Sequence, residues 1–126
     1  MSRRVIDSSA ILALIFQEKG GEKVAGILED SLISAVNVAE VFSKLAEKDL
    51  LTAKRISDFY QLGLEVADLD PEQAFKIAEL RPLTKKLGLS LGDRCCLALA
   101  ILRGAIPVTA DRDWKKLSFC EVETIR

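Results

Sequence analysis

Four acidic residues, Asp7, Glu40, Asp93 and Asp111, stand at or just beyond the ends of apolar segments, and their type narrows the chemistry they could do. Carboxylates that come from separate segments and meet in one place repel each other. Two of them about 4 Å apart cost about 4 kcal/mol at an effective dielectric of about 20. Such a cluster either keeps protons through raised pKa values or holds a divalent cation, and oxygen-only ligation selects Mg²⁺ or Mn²⁺. The chain contains no histidine, which excludes imidazole bases and histidine-oriented nucleophiles and disfavours zinc. An ion among carboxylates holds a phosphate oxygen and lowers the pKa of a bound water, so phosphodiester hydrolysis is the natural reaction class.

Each acid also has a purely structural reading. Asn37-x-x-Glu40 and Ser90-x-x-Asp93 both match a capping box, in which the acid supports a helix start. Asp111 and Asp113 can cap the short turn that leads into Trp114, and Asp7 can hold the turn after its strand. Asp70, followed by Pro71 and Gln73, is the pattern of a cap with no chemistry attached. What raises the four acids above these readings is their joint placement, because convergence is electrostatically costly and calls for a cation.

The elements that must position them are legible in outline. At 126 residues the chain has the size of one domain, and 49% apolar with 29% charged residues is globular rather than disordered. Arg3 to Asp7 predicts a first strand and Ala10 to Phe16 a buried helix. Gly20-Gly21 separates this from a helix near Glu22 to Glu29, and Ser31 to Ser34 predicts a second strand. From Val38 the apolar residues recur at helical spacing, leaving Glu40, Lys44 and Lys48 exposed. Thr52 caps a further helix, Leu64 to Leu69 predicts a third strand, and Asp70-Pro71 opens another helix. Leu91 to Arg103 predicts a long helix stopped by Gly104, Ala105 to Thr109 a fourth strand, and Phe119 to Ile125 an edge strand. Alternating strands and helices imply right-handed parallel crossovers. The expected fold is a three-layer α/β/α sandwich with a central parallel sheet of four to five strands and its ligands at the carboxyl ends of those strands.

Charge and cysteine content bound the setting. Eighteen basic against 19 acidic residues exclude a uniformly basic coat, so a polyanion must be met by a local patch. The longest apolar run, Cys95 to Leu102, is far below the roughly 20 residues a membrane span needs. Asp7 interrupts the apolar start, and no small-residue cleavage site follows, so a secretory leader is not expected. Three cysteines without a CxxC pair form no disulfide framework. Cys95, Cys96 and Cys120 read as reduced core or near-core residues, and a cytoplasmic setting is expected.

At Val5-Ile6-Asp7-Ser8-Ser9-Ala10, Ser34-Ala35-Val36-Asn37-Val38-Ala39-Glu40-Val41, Leu89-Ser90-Leu91-Gly92-Asp93-Arg94 and Val108-Thr109-Ala110-Asp111-Arg112-Asp113-Trp114, the chain resembles PIN-domain ribonucleases of the VapC toxin type, in order and in spacing. The resemblance spans essentially the whole chain. It implies a small α/β/α nuclease that cleaves single-stranded RNA with Mg²⁺, or Mn²⁺, as cofactor. It assigns Asp7 and Asp93 as principal metal ligands, with Glu40 and Asp111 completing the acidic pocket directly or through water and Asp113 as the alternative fourth acid. Ser9 and Thr109 would orient carboxylates through their hydroxyls. Arg94, Arg112 and Lys44, with Lys115 or Lys116, would hold RNA phosphates, while Trp114 reads as a core anchor before a base-stacking platform. The implied partners are the RNA substrate, a cognate antitoxin protein and a second copy of the chain in a homodimer, with the apolar helices near Ala10 to Leu28 and Val38 to Leu51 as candidate surfaces.

Two rival readings are distinguishable. A catalytically silent PIN-like module that binds RNA or protein would keep the fold and lose the acids, all four of which are present here. An aspartyl-phosphate domain using Asp7 would need a second aspartate just downstream and a partner lysine, and neither is evident.

Overall fold

A computed structural model describes residues 3–126. Strands Arg4–Ile6 (β1), Ser31–Ser34 (β2), Glu65–Ala67 (β3), Ile106–Thr109 (β4) and Glu123–Thr124 (β5) form one sheet in the order β3-β2-β1-β4-β5. Every pairing is parallel, with Val5 opposite both Leu32 and Pro107. The helices are Ser8–Ile15 (α1), Gly21–Ala25 (α2), Ala35–Glu47 (α3), Ala53–Tyr60 (α4), Pro71–Thr84 (α5) and Leu91–Arg103 (α6), with 3-10 turns at Lys85–Leu87 and Arg112–Lys116.

Strand alternation divides the core in two. Val5 and Leu32 face α5, α6 and Trp114, packing with Ile77, Leu80, Leu97 and Leu99. Ile6, Ile33 and Val108 face the other way and pack with Ile11 of α1, Val24 of α2, Val41 and Leu45 of α3 and Phe59 of α4. The result is the expected three-layer α/β/α sandwich, with a fully parallel sheet of five strands.

Pro107 sits inside a paired strand without loss. The β4 residues on either side of it bond toward β1, through the Ile106 amide to Arg3 and the Val108 carbonyl from Asp7. The missing Pro107 N–H therefore faces β5, whose pairing begins only at Val108 opposite Glu123, so no ladder bond is forfeited.

Local signals set most helix ends. Thr52 Oγ1 accepts the Arg55 amide and Asp70 Oδ1 accepts the Gln73 amide, so both are the caps their spacing suggests. Gly104 closes α6 at φ 62°, a left-handed conformation that costs glycine little.

Several boundaries depart from the sequence reading. Helix α2 ends at Ala25 rather than near Glu29, β3 keeps three residues of Leu64 to Leu69, and β5 keeps two residues of Phe119 to Ile125. The third and fifth strands are the sheet's two edges, paired on one side only, so partner length limits their ladders. Helix α3 begins three residues before Val38, because Ser34 Oγ accepts the Val36 amide and caps it there. As a consequence, Asn37 is not a cap. It lies in the first turn of α3, fully buried, and Glu40 is half-buried instead of exposed.

Candidate active site

The strand order reverses between β1 and β4: the chain runs outward from β1 through β2 to β3, then returns to the other side for β4 and β5. A crevice opens at the carboxyl edge of a parallel sheet at such a point. Asp7 follows β1 there, and Thr109 and Asp111 lie at and beyond the end of β4.

Asp7 is 2% exposed. Its Oδ2 accepts the Ser9 hydroxyl at 2.6 Å and the Thr109 hydroxyl at 3.1 Å. Ser9 Oγ also receives the Ala110 amide at 3.0 Å, and Thr109 Oγ1 the Asp111 amide at 3.1 Å, so the two hydroxyls lock the segment after β4 onto the segment after β1. Asp7 Oδ1 is buried with no partner. Burial is the largest cause that pushes the Asp7 carboxyl up to about 6; the Ser9 and Thr109 bonds oppose it, and the charges of Asp93 and Glu40 add to it.

Asp93 stands at the start of α6 in the capping box that its spacing suggests: Ser90 Oγ accepts the Asp93 amide and Asp93 Oδ2 accepts the Ser90 amide at 2.8 Å. The cap does not exhaust the residue. Burial raises its pKa, the Ser90 bonds lower it, and the nearby charges of Glu40 and Asp111 raise it again. Glu40, one turn into α3, accepts at Oε1 from the Ser8 hydroxyl at 3.0 Å and from Asn37 Nδ2 at 2.8 Å. Asp111 Oδ1 accepts the Asp113 amide at 2.9 Å.

One pattern is common to the four acids. Each has one oxygen tethered by protein donors, while Asp7 Oδ1, Glu40 Oε2, Asp93 Oδ1 and Asp111 Oδ2 make no hydrogen bond or ion pair among the described residues. Charge coupling links Asp7 to Asp93 and Glu40, and Asp93 to Glu40 and Asp111. The carboxylates share a space without closing on one point, since no three acid or thiol groups among the described residues stand within ligating reach of a single ion. An orphaned buried carboxylate oxygen in an all-oxygen, like-charged pocket fits a hard divalent cation taking one or two direct carboxylate ligands and reaching the rest through water.

The remaining expected site residues lie as follows. Arg94 Nη1 donates to the Ile77 carbonyl of α5 at 3.0 Å, and its Nε is buried without a partner. Lys44, one turn beyond Glu40, pairs with Glu47, and Asp113 pairs with Lys116 at 3.0 Å. Arg112 is exposed beside Asp111. Trp114 is fully buried with the Leu97 and Leu99 cluster, as a core anchor. Cys95 and Cys96 are buried and Cys120 is half-buried; burial raises all three thiol pKa values, so none is an activated nucleophile.

Sequence reasoning passed over Asn37 and Gly92 as site residues. Asn37 carried the right signal, a fixed spacing from Glu40, but that spacing also reads as a cap. Gly92 carried one too, being a glycine in the first turn of a helix next to an acid of the site.

A parallel α/β/α sandwich with acids from four segments at its switch point defines a class of acidic-pocket proteins. Within that class the PIN domain model matches residues 4–119, and the chain belongs to the PIN domain family. Solved structures with the same fold include the DNA-bound VapBC of Salmonella typhimurium, at 20% identity over all of both chains with a TM-score of 0.76. A toxin-antitoxin complex from Klebsiella pneumoniae is 15% identical over 98% of each chain, TM-score 0.76. A member of the VapBC family of toxin-antitoxin systems from Mycobacterium tuberculosis is 22% identical over 100% of this chain and 99% of its own, TM-score 0.61. No curated protein sequence matches the chain. Among the described residues no helix is long and apolar enough to cross a membrane.

Proposed function

We propose that the chain is a divalent-metal-dependent endoribonuclease that acts as the toxin of a toxin–antitoxin pair. The observation that carries this reading is the shared design of the four acids: one oxygen of each is tied down and the other is left without a partner, and at Asp7 and Asp93 burial and neighbouring like charges disfavour the free carboxylate. Family membership and the toxin–antitoxin complexes among the similar structures support it.

In this reading Asp7 and Asp93 hold the ion, with Glu40 and Asp111 reaching it directly or through water, and Mg²⁺ or Mn²⁺ is the cofactor. A divalent ion held by these residues would supply charge stabilisation for a phosphate oxygen and activation of the attacking water. The protein's own part is orientation. Ser9 and Thr109 fix Asp7, Ser90 fixes Asp93, and Ser8 and Asn37 fix Glu40, so that the untethered oxygens are aimed before substrate arrives. Asp111 serves as the fourth acid, because its charge reaches Asp93 while Asp113 is paired with Lys116. Arg112, beside Asp111 in the chain, and Lys44, one helical turn beyond Glu40, meet RNA phosphates.

A cavity of about 220 Å³ between α1, α3 and α4, lined by Leu14, Ile15, Leu45, Phe59 and Leu62 and edged by Arg55 and Asp58, supports an antitoxin segment as protein partner. A homodimer belongs to the same proposal.

The test is cleavage of end-labelled RNA by purified protein. Activity should vanish in EDTA, return with Mg²⁺ and fall by at least about a hundredfold in Asp93→Asn. RNA or antitoxin binding without cleavage by the wild type would replace the enzyme with a silent binding module.

A further inference from the structure

We infer that Gly92 and Asn37 are positioning residues for Glu40, together forming a clamp that joins α3 to α6 and sets where the Glu40 carboxylate lies. The inference rests on the nuclease reading for its catalytic consequence, and on geometry alone for the clamp.

Asn37 is fully buried, and its Nδ2 donates twice, to Glu40 Oε1 at 2.8 Å and to the Gly92 carbonyl at 3.1 Å, 55 residues away. One amide therefore fixes both the acid on α3 and the first turn of α6. Both of its bonds require a donor, which asparagine supplies and aspartate lacks. The Ser8 hydroxyl adds a third tie from α1, again to Oε1, so Oε2 is the oxygen left over.

Gly92 is the other half of the clamp. A methyl group built on its Cα would overlap the Glu40 carboxylate, Oε2 first and then Oε1 and the carbon between them. Glu40 thus occupies the space that any other residue's Cβ would take, immediately before Asp93 in the chain. The Gly92 backbone has no left-handed φ to explain the glycine, and glycine inside a helix is unfavourable relative to alanine. Close approach of the acid is the remaining reason for it.

The two halves predict the same loss of function by different routes. Gly92→Ala improves helix propensity but pushes the carboxylate off its Ser8 and Asn37 ties, two opposing effects, so the protein should fold with a melting temperature near that of the wild type. Its Glu40 carboxylate is displaced, so Mn²⁺ affinity by calorimetry and kcat for RNA cleavage should each fall about tenfold or more, with KM little changed. In a Glu40→Ala background the same substitution should cost nothing further, because the group it displaces is gone. Asn37→Ala, which removes the tie without adding bulk, should lower Mn²⁺ affinity in the same direction and lose its effect in the same background.

A Gly92→Ala protein with wild-type Mn²⁺ affinity and kcat overturns the clamp. So does a loss that persists undiminished in Glu40→Ala. If the wild type binds Mn²⁺ but cuts no RNA, the nuclease reading fails, and the affinity arm still decides the clamp.

Discussion

The Thr109 hydroxyl donates to Asp7 Oδ2 at 3.1 Å while its oxygen accepts the Asp111 amide at the same distance, so one side chain ties the first acid of the site to the backbone of the last. Ser9 repeats the arrangement from the other direction, donating to Asp7 and accepting from Ala110. The junction of β1 and β4 is thereby held shut around a carboxyl group that burial makes hard to ionise.

That burial has a pH signature in the metal-free protein. The Asp7 pKa is about 6 in the folded chain against an ordinary 3.8. Below the lower value both states hold the proton, and between the two values only the folded state does, so stability falls as pH rises through that window. Above it the full penalty stands, about 3 kcal/mol. Asp7→Asn removes the charge and keeps the shape, so it should stabilise the protein by about 1–3 kcal/mol at pH 7 while abolishing cleavage. Urea unfolding in EDTA, repeated at about pH 4 and 7.5, checks this; a wild-type-to-variant difference that fails to grow with pH contradicts it.

Ser9→Ala removes the shortest bond to Asp7 and the acceptor for Ala110 together. A stability loss of about 1–3 kcal/mol is expected, since the Ala110 amide is left without that partner. The Ser9 bond also holds the Asp7 pKa down, so its loss should shift Asp7 titration to still higher pH. Carboxyl-carbon NMR titration of the metal-free variant reads the shift directly.

The two neighbouring aspartates after β4 should separate cleanly. Asp113 is exposed and paired with Lys116 three residues on, an arrangement worth at most about 0.5 kcal/mol, so Asp113→Asn should leave stability and cleavage within about twofold of wild type. Asp111→Asn should lower kcat by about tenfold or more, because it removes a charge that Asp93 feels. Parallel cleavage assays decide, and equal effects would return the fourth position to Asp113.

Trp114, fully buried under α6, predicts a folding phenotype and no RNA phenotype. Trp114→Ala should cost about 3–5 kcal/mol, and Trp114→Phe, which fills most of the volume, much less. Fluorescence-anisotropy binding of labelled RNA to Trp114→Phe should match wild type; a clear loss of affinity would give the ring a stacking role.

The reach of sequence reasoning differs between parts of this chain. Helix α6 and strand β2 are legible residue for residue, because each has a capping or breaking residue at its edge and an unbroken apolar pattern inside. Both edge strands are shorter than their apolar patterns, since an edge ladder needs a partner and ends where the partner does. The capping boxes at Asn37 and Ser90 look alike in sequence, yet only Ser90 is a cap. Ser34, three residues upstream, had already taken that role for α3, and propensity alone does not choose between two serviceable caps.

What the amino-acid sequence determined by itself is the inventory: four acids without a histidine, each beside a strand or helix end, on a chain whose alternating elements impose a parallel sheet. Only the tertiary structure decided how Asp7 and Glu40 are held, because their tethers reach across from Thr109 after β4 and Ser8 of α1, while those of Asp93 and Asp111 are local. Of the partners that matter to Glu40 and Asp7, Ser8 and Gly92 lie 32 and 52 residues from Glu40 and Thr109 lies 102 from Asp7, and no local spacing encodes such distances.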